Sequence, residues 1–458
     1  MPRRARPLAA RPAPRLASSP MTSTSPRPGT RTDDSADTPR QDREFDLVLV
    51  GATGFVGKLT AAHLARSAPS DMRIALAGRS EDKLAKVRET LPEAAADWPL
   101  VTVDTLDEVA VRRLARRTRA VVTTVGPYAE YGRLLLGACA AAGTHYADLT
   151  GEVLFVRDMA DAHHATAQST GARIVNSCGF DSVPSDLGVL LTAERAAADG
   201  EGTLGETTLR VRSMRGGVSG GTVDSMRRQF AEAAEDADRA AIVKDPYGLS
   251  PDRDAEPDRA DSAQGRRGKR RSAPSVPVSK DATSGRWEAP FVMAGYNTRI
   301  VRRSNALTDW SYGRGFRYRE VSDTGAGPRG LLRSAGTTAV LGGLVGGMRF
   351  APTRALFDRA LPKPGEGPSE ESMARGRFVM DVDATTSTGA RYTTRVAADR
   401  DPGYTGTAVM LGEAGLALAA DEDRLPARAG VLTPATALGD VLVERLRAHG
   451  FTLETHRR

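Results

Sequence analysis

"LVLVGATGFVGKLT", residues 47 to 60, runs from an apolar, strand-like stretch through three glycines into a helical pattern. Gly51, Gly54 and Gly57 therefore stand at a strand–turn–helix junction. Gly51 suits the tight turn, Gly54 lets the backbone approach a pyrophosphate, and Gly57 lets the helix pack on the sheet. A helix N-terminus at this place offers unpaired N–H groups and a partial positive charge to phosphate. The spacing is GxxGxxG rather than GxGxxG, so the reading rests on the strand before it, the helix after it and the rhythm that follows. Thr53 and Phe55 lie in the same turn and belong to the expected dinucleotide cradle.

Outward from this turn, short apolar runs alternate with helical patterns. "FDLVLVG" (45 to 51), "RIALAGR" (73 to 79), "PLVTVD" (99 to 104), "AVVTTVG" (120 to 126) and "ARIVNSCG" (172 to 179) read as strands, separated by helices of about three turns. The expected fold class is α/β, a Rossmann-type doubly wound parallel sheet, with right-handed crossovers. After about Asp186 the rhythm changes. "TTLRVRSM" (207 to 214), "WEAPFVMAG" (287 to 295), "GRFVMDVDAT" (376 to 385) and "ARYTTRVAAD" (390 to 399) read as longer, antiparallel strands of a second mixed α/β domain, the last two forming a hairpin. The expected division is a disordered tail over 1–43, a nucleotide-binding domain over 44–185, a substrate and oligomerisation domain over 186–404 with a disordered loop at 250–285, and C-terminal helices over 405–458 that pack back on the body.

The second strand selects the dinucleotide. It ends Gly78-Arg79-Ser80 with no acid before Glu81, where an NAD site would place Asp or Glu for the ribose 2′-OH. Arg79 can fork onto a 2′-phosphate and Ser80 can donate to it, so the expected cofactor is NADP; a solvated surface arginine is the competing account. Asp104, closing the third strand, and Gly126 and Pro127, closing the fourth, fall along the same crevice.

Composition narrows the partners. Residues 1 to 43 hold nine Arg and four Asp, and "RRGKRR" (266 to 271) adds five cations, so the +7 of the whole chain leaves 7 − 5 − 5 = −3 for the rest. The body is mildly acidic and nucleic acid is not expected. Cys139 and Cys178 sit in a helical and a strand-end context, which suggests no disulfide or metal site and fits a reducing cytoplasm. The first 43 residues lack an apolar run of signal-peptide length, and Met21 is an alternative start.

The candidate chemistry is acidic and phenolic. Tyr128, in "TTVGPYAEYG", is a proton-donor candidate, or else a half-buried ring. Asp148, in "HYADLTGE", and Asp181, in "CGFDSVPSD", can handle protons if burial raises their pKa, although Asp148 and Ser182 equally suit helix caps. None of the seven Lys follows a Tyr by four residues, so the Tyr-x-x-x-Lys mechanism is disfavoured. His163 and His164 are adjacent, too divergent on a helix to share a metal. "RGGVSGGTVDSMRRQF" (215 to 230) offers a second glycine-rich helix entry for an anionic group, or simply a turn. "SAGTTAVLGGLVGGM" (334 to 348) carries no charge but is too short to span a bilayer. It reads as an acyl-tunnel wall, shared with "APFVMAG" (289 to 295), as an interfacial segment, or as a buried helix.

"GATGFVG", "AGRS", "VGPYAEYG", "GTHYADLTGE" and "NSCGFDSVPSDLG", followed by "FVMAGYNTRIVRRSNAL", "PGEGPSE" and "DPGYTGTAVMLGEA", together resemble the saccharopine dehydrogenase-like oxidoreductases. The similarity is greatest to the bacterial trans-acting enoyl reductase branch and spans residues 45 to 450 apart from the 250 to 285 loop. The resemblance implies reduction of acyl chains held by polyketide synthases that lack their own reductase, in complex-lipid biosynthesis. Saccharopine reductase itself reduces an imine between two amino acids, which leaves an imine substrate, or a non-catalytic nucleotide-binding protein, as the alternatives. Peripheral membrane contact and a homodimer are further expectations.

Overall fold

Six residues, all buried, form the first strand, β1 (Phe45–Val50); enclosing each Leu or Val side chain contributes roughly 1.5–3 kcal/mol. The structure is a computed structural model that describes residues 39–216, 225, 228, 232, 235–256, 278–281, 284–347 and 367–458. From β1 the chain alternates through α1 (Phe55–Ser67), β2 (Ile74–Gly78), α2 (Glu81–Arg88), β3 (Leu100–Thr102), α3 (Glu108–Arg116), β4 (Thr118–Thr123), α4 (Tyr128–Tyr131), α5 (Arg133–Ala142), β5 (His145–Ala147), α6 (Val153–Thr170), β6 (Arg173–Val175) and α7 (Val183–Ala198). Local chemistry sets these limits. Asp107 accepts from the N–H groups of Val109 and Ala110 at the start of α3, and Gly143 and Gly171 end α5 and α6 in the left-handed conformation.

The second part comprises β7 (Leu204–Arg215), β8 (Ser279–Lys280), β9 (Arg286–Pro290), α8 (Ala294–Leu307), β10 (Arg317–Ala326), α9 (Gly327–Gly347), β11 (Arg377–Thr386) and β12 (Arg391–Ala398). The chain then closes with α10 (Thr407–Ala420), β13 (Gly430–Leu432), α11 (Pro434–Ala448) and β14 (Thr452–Arg457). The first sheet has the order β13-β6-β5-β4-β1-β2-β3 and is parallel throughout, which is the doubly wound architecture read from the sequence. The second is mixed, ordered β14-β12-β11-β7-β10-β9-β8.

Alternation along β11 divides the faces of the second sheet. Phe378, Met380, Val382 and Ala384 are buried in the core; α7 packs so closely there that a Cβ on Gly188 would stand 2.9 Å from Val382. Asp381 and Asp383 belong to a ladder of ion pairs with Arg212 at 3.0 Å and Arg210 at 2.7 Å. Burial works against the charge on Asp381, yet hydrogen bonds from Arg395 and Arg212 hold it below the usual carboxylate range.

Several sequence expectations are corrected. "WEAPFVMAG" is not one strand: β9 stops at Pro290 and a helix starts at Ala294. The buried positions of that helix follow helical spacing, but several of them, Asn297, Ser304 and Asn305 included, are polar, which hid the period. The expected strands β7, β11 and β12 pair antiparallel, but β7 also pairs in parallel with β10. β10, β13 and β14 were not anticipated, and β13 returns from the C-terminal region to extend the first sheet. The tail does not extend to residue 43: Arg40 donates to Gly143 O at 2.7 Å, and buried Arg43 donates to Thr118 O at 2.9 Å and Thr144 Oγ1 at 2.7 Å. Within the 250–285 loop, Ser279–Lys280 pairs with β9 and Ser250 is buried, while 257–277 lie outside the described residues.

Candidate active site

The glycine turn has the geometry of a phosphate cradle. Gly51 adopts φ +87°, and a Cβ there would stand 2.7 Å from Val125 Cγ2; a Cβ on Gly57 would stand 2.1 Å from Gly51 O. Gly54 is the N-cap of α1, where no side chain caps the helix and no acid occupies the first turn. Among the described residues no side-chain anion caps the N–H groups of that turn, which fits a pyrophosphate. Thr53 is half-buried beside them, and the Phe55 ring meets Tyr404 edge-on at 5.1 Å.

At the end of β2, Arg79 is exposed and has no hydrogen bond or ion pair among the described residues. Ser80 is the N-cap of α2, its Oγ accepting from Lys83 N at 3.4 Å. Asp104, beyond the neighbouring β3, is exposed and accepts from Leu106 N at 3.0 Å. Beyond β4, Thr124 Oγ1 donates to Gly51 O at 3.1 Å, which ties the fourth strand's loop, with Gly126 and Pro127, to the glycine turn.

The ends of β5 and β6 gather the ionisable groups. Asp148 is fully buried. Its Oδ1 accepts from Ser177 N at 2.9 Å and Thr150 N at 3.0 Å, and its Oδ2 from Asn176 Nδ2 at 2.8 Å and Tyr146 OH at 3.1 Å. Burial pushes its pKa up to about 6 against these donors. Asp181, placed beside Gly151, is also pushed up to about 6 by burial, and no hydrogen bond or ion pair engages it among the described residues. Of the two, Asp148 is the fixed anchor and Asp181 the carboxyl with unused hydrogen-bonding capacity.

Tyr128, by contrast, is committed to the framework. Its hydroxyl donates to Thr123 O and accepts from Leu149 N, both at 3.1 Å, and burial, with Asp148 nearby, raises its pKa well above the ordinary phenol value. Glu152 receives the N–H groups of Tyr128 at 2.9 Å and Ala129 at 2.8 Å, which holds the start of α4 in place.

Sequence reading missed Tyr296, on the first turn of α8. Ser177 Oγ donates to Thr150 O at 2.9 Å, so its hydrogen bond with Tyr296 is donated by the phenol. Burial raises the Tyr296 pKa, and Asp148 and Asp181 add to the shift. Ser177 holds a left-handed φ of 67°, a conformation that costs a non-glycine residue roughly 1–2 kcal/mol. Nearby, Asn176 Oδ1 and Ser182 Oγ are buried without a partner among the described residues, leaving polar capacity at the same strand end. The only sequence signal for Tyr296 was its place in "FVMAGYNTRIV".

Away from this cluster, Glu413 Oε1 receives His63 at 2.7 Å and His449 at 2.9 Å, with Arg445 on Oε2 at 2.9 Å. The three side chains could ligate a metal, but Arg445 already neutralises the carboxylate and the imidazoles satisfy its other oxygen. A charge network that clamps α1 to α10 and α11 accounts for it. Asp186 acts similarly, accepting from Ser304 Oγ at 2.5 Å and Ala435 N at 2.8 Å. A cavity of about 1010 Å³ lined by Arg157, Lys244, Tyr247 and Glu256 contains none of the cluster residues. Most of the 215–230 stretch lies outside the described residues.

A parallel doubly wound sheet, an open glycine cradle and an acidic, phenolic strand end define a dinucleotide-dependent oxidoreductase. Residues 47–175 match the family model described as the saccharopine dehydrogenase NADP binding domain. The chain is 51% identical over 425 residues to a candidate trans-acting enoyl reductase of Mycobacterium tuberculosis, covering 91% of this chain and 98% of that one. It is 47% identical over 421 residues to a trans-acting enoyl reductase of Mycobacterium bovis, covering 91% and 99%. A solved saccharopine dehydrogenase from Saccharomyces cerevisiae aligns at 12% identity and a TM-score of 0.48, over 90% of this chain and 99% of that one. The chain belongs to the saccharopine dehydrogenase-like oxidoreductases, in the trans-acting enoyl reductase branch.

Proposed function

We propose that this protein is an NADPH-dependent enoyl reductase that acts in trans on an α,β-unsaturated acyl thioester carried by a separate synthase. One observation carries the choice of substrate. Asp148, Glu152, Asp181 and Tyr296 collect at the ends of β5 and β6, and no Arg or Lys among the described residues pairs with any of these acids. Such a site repels the carboxylates of an amino-acid imine and tolerates an uncharged thioester. The glycine turn supports dinucleotide binding, and the unpaired Arg79 favours the 2′-phosphate of NADP.

Bound there, the nicotinamide supplies hydride to the β-carbon. The protein's own task is the proton at the α-carbon. Asp181, with its raised pKa and no hydrogen-bond partner among the described residues, suits a general acid near neutral pH, and Tyr296 suits turning its one proton from Ser177 Oγ to the thioester carbonyl as negative charge develops on that oxygen. Asp148 holds Ser177 and Asn176 in position, and Tyr128 braces the fourth strand's loop; both are positioning residues in this scheme. The reading is tested by comparing turnover of a trans-2-enoyl thioester with that of an amino-acid imine. Turnover of the thioester alone supports it, and turnover of the imine alone rejects it.

A further inference from the structure

Helix α9 holds several large apolar side chains out of the core. A surface helix ordinarily turns its apolar stripe to the core and its polar face to water. Here most inward positions are small or polar: Gly330 and Ser334 are buried, Thr337 and Thr338 are half-buried, and Leu341 is a half-buried apolar residue among them. Ser334 Oγ donates to Glu288 O of β9 at 2.7 Å. The outward positions include Leu331 at 39% exposure, Leu332 at 73% and Val340 at 72%, three of the seven large exposed apolar side chains among the described residues. Large apolar side chains held this far out of the core on one helix suit an interaction surface.

The charges on the helix identify what covers it. Residues 327–347 contain no Asp or Glu, and Arg329 and Arg333 are the only charged residues. Both are exposed and have no carboxylate partner among the described residues. Outward leucine and valine beside unpaired guanidinium groups, with no acid, suit an anionic lipid surface, where the side chains enter the acyl boundary and the arginines meet headgroup phosphates. No helix among the described residues is long and apolar enough to cross a membrane, so the contact lies in the plane of the interface. We propose that α9 docks this protein on anionic bilayers. The placement has a use: α9 packs on β9, whose chain continues into α8 and Tyr296, so docking sets the reductase against the phase in which long acyl chains collect. The proposal does not depend on which bond the enzyme reduces.

The test is flotation of the full chain with vesicles of phosphatidylglycerol and phosphatidylethanolamine, and separately of phosphatidylcholine alone. Wild type should bind the anionic vesicles at least tenfold more tightly. Leu332→Glu combined with Val340→Glu should abolish binding without altering thermal unfolding, since both side chains are exposed. Arg329→Gln combined with Arg333→Gln should weaken binding about tenfold or more and remove most of its salt dependence. Absence of wild-type binding to anionic vesicles, or binding that the glutamate pair leaves unchanged, would overturn the proposal. So would a wild-type homodimer in sedimentation velocity that the glutamate pair dissociates, because the face would then belong to a second copy.

Discussion

The Tyr296 hydroxyl donates to Ser177 Oγ, joining the first turn of α8 to the end of β6 across 119 residues of sequence. Asp148 receives the backbone N–H of the same serine. One strained residue therefore sets both the buried carboxylate and the phenol. Tyr296→Phe should lower kcat by about tenfold to a hundredfold while leaving NADPH affinity unchanged. Ser177→Ala should reproduce part of that loss, because the hydroxyl that holds the phenol in place is gone. Full activity in Tyr296→Phe would remove the phenol from the mechanism.

Asp181 is held up to about 6 by burial. A general acid must be protonated, so kcat/KM should fall as pH rises through about 6. Asp181→Asn should lower kcat by about 10²–10⁴-fold and abolish that limb of the profile, whereas Tyr296→Phe should retain it. If the limb persists in Asp181→Asn, Asp148, also near 6, is the titrating group.

Replacing Arg79 by Ala should weaken NADPH binding by about 1.5–3 kcal/mol, the range for hydrogen bonds to charged groups, and leave NADH nearly unaffected. Isothermal titration with both cofactors measures this directly. Equal wild-type affinities for NADPH and NADH would reject NADP selectivity.

Arg40 bridges Gly143 O, Gly171 O, His145 and Glu422. Arg40→Ala should cost about 2–3 kcal/mol of stability, and deleting residues 1–43 should cost more, because Arg43 goes with it. The same site gives stability a pH dependence. Burial holds His145 down to about 4, while hydrogen bonding to His145, with Arg40 and Arg173 nearby, holds Glu422 down to about 2. Both folded values lie below the unfolded ones, so the unfolded chain binds more protons and stability is lost as pH falls. Thermal unfolding should move to lower temperature from about pH 6.5 toward pH 4, and further below that as Glu422 titrates. A midpoint that stays level or rises over the upper range would contradict the assignment.

The nucleotide-binding half was legible because its evidence is local. Strand, glycine turn and helix are consecutive, and Gly51, Gly57 and Arg79 each carry meaning from their neighbours in sequence. Tyr296 was not legible, because its importance comes from Ser177 and the acids it meets in space. The core face of α8 is also built partly from Asn and Ser, which masks a helical period. β13 is three residues long, and only its pairing with β6 makes it a strand. The uncharged stretch at 334 to 348 showed its composition but not its direction. Of its described side chains, Ser334 is buried against β9 while Val340 stands exposed, and the side chains of 344–347, part of the stretch read as a tunnel wall, lie outside the described residues.

The central claim is reduction of an enoyl thioester by hydride from NADPH. The most direct measurement uses NADPH deuterated at nicotinamide C4 with a trans-2-enoyl thioester, followed by mass spectrometry of the product. The account predicts a saturated acyl thioester with one deuterium at the β-carbon and a solvent-derived proton at the α-carbon. Consumption of the cofactor with an amino-acid imine, and no deuterium in any acyl product, would contradict it.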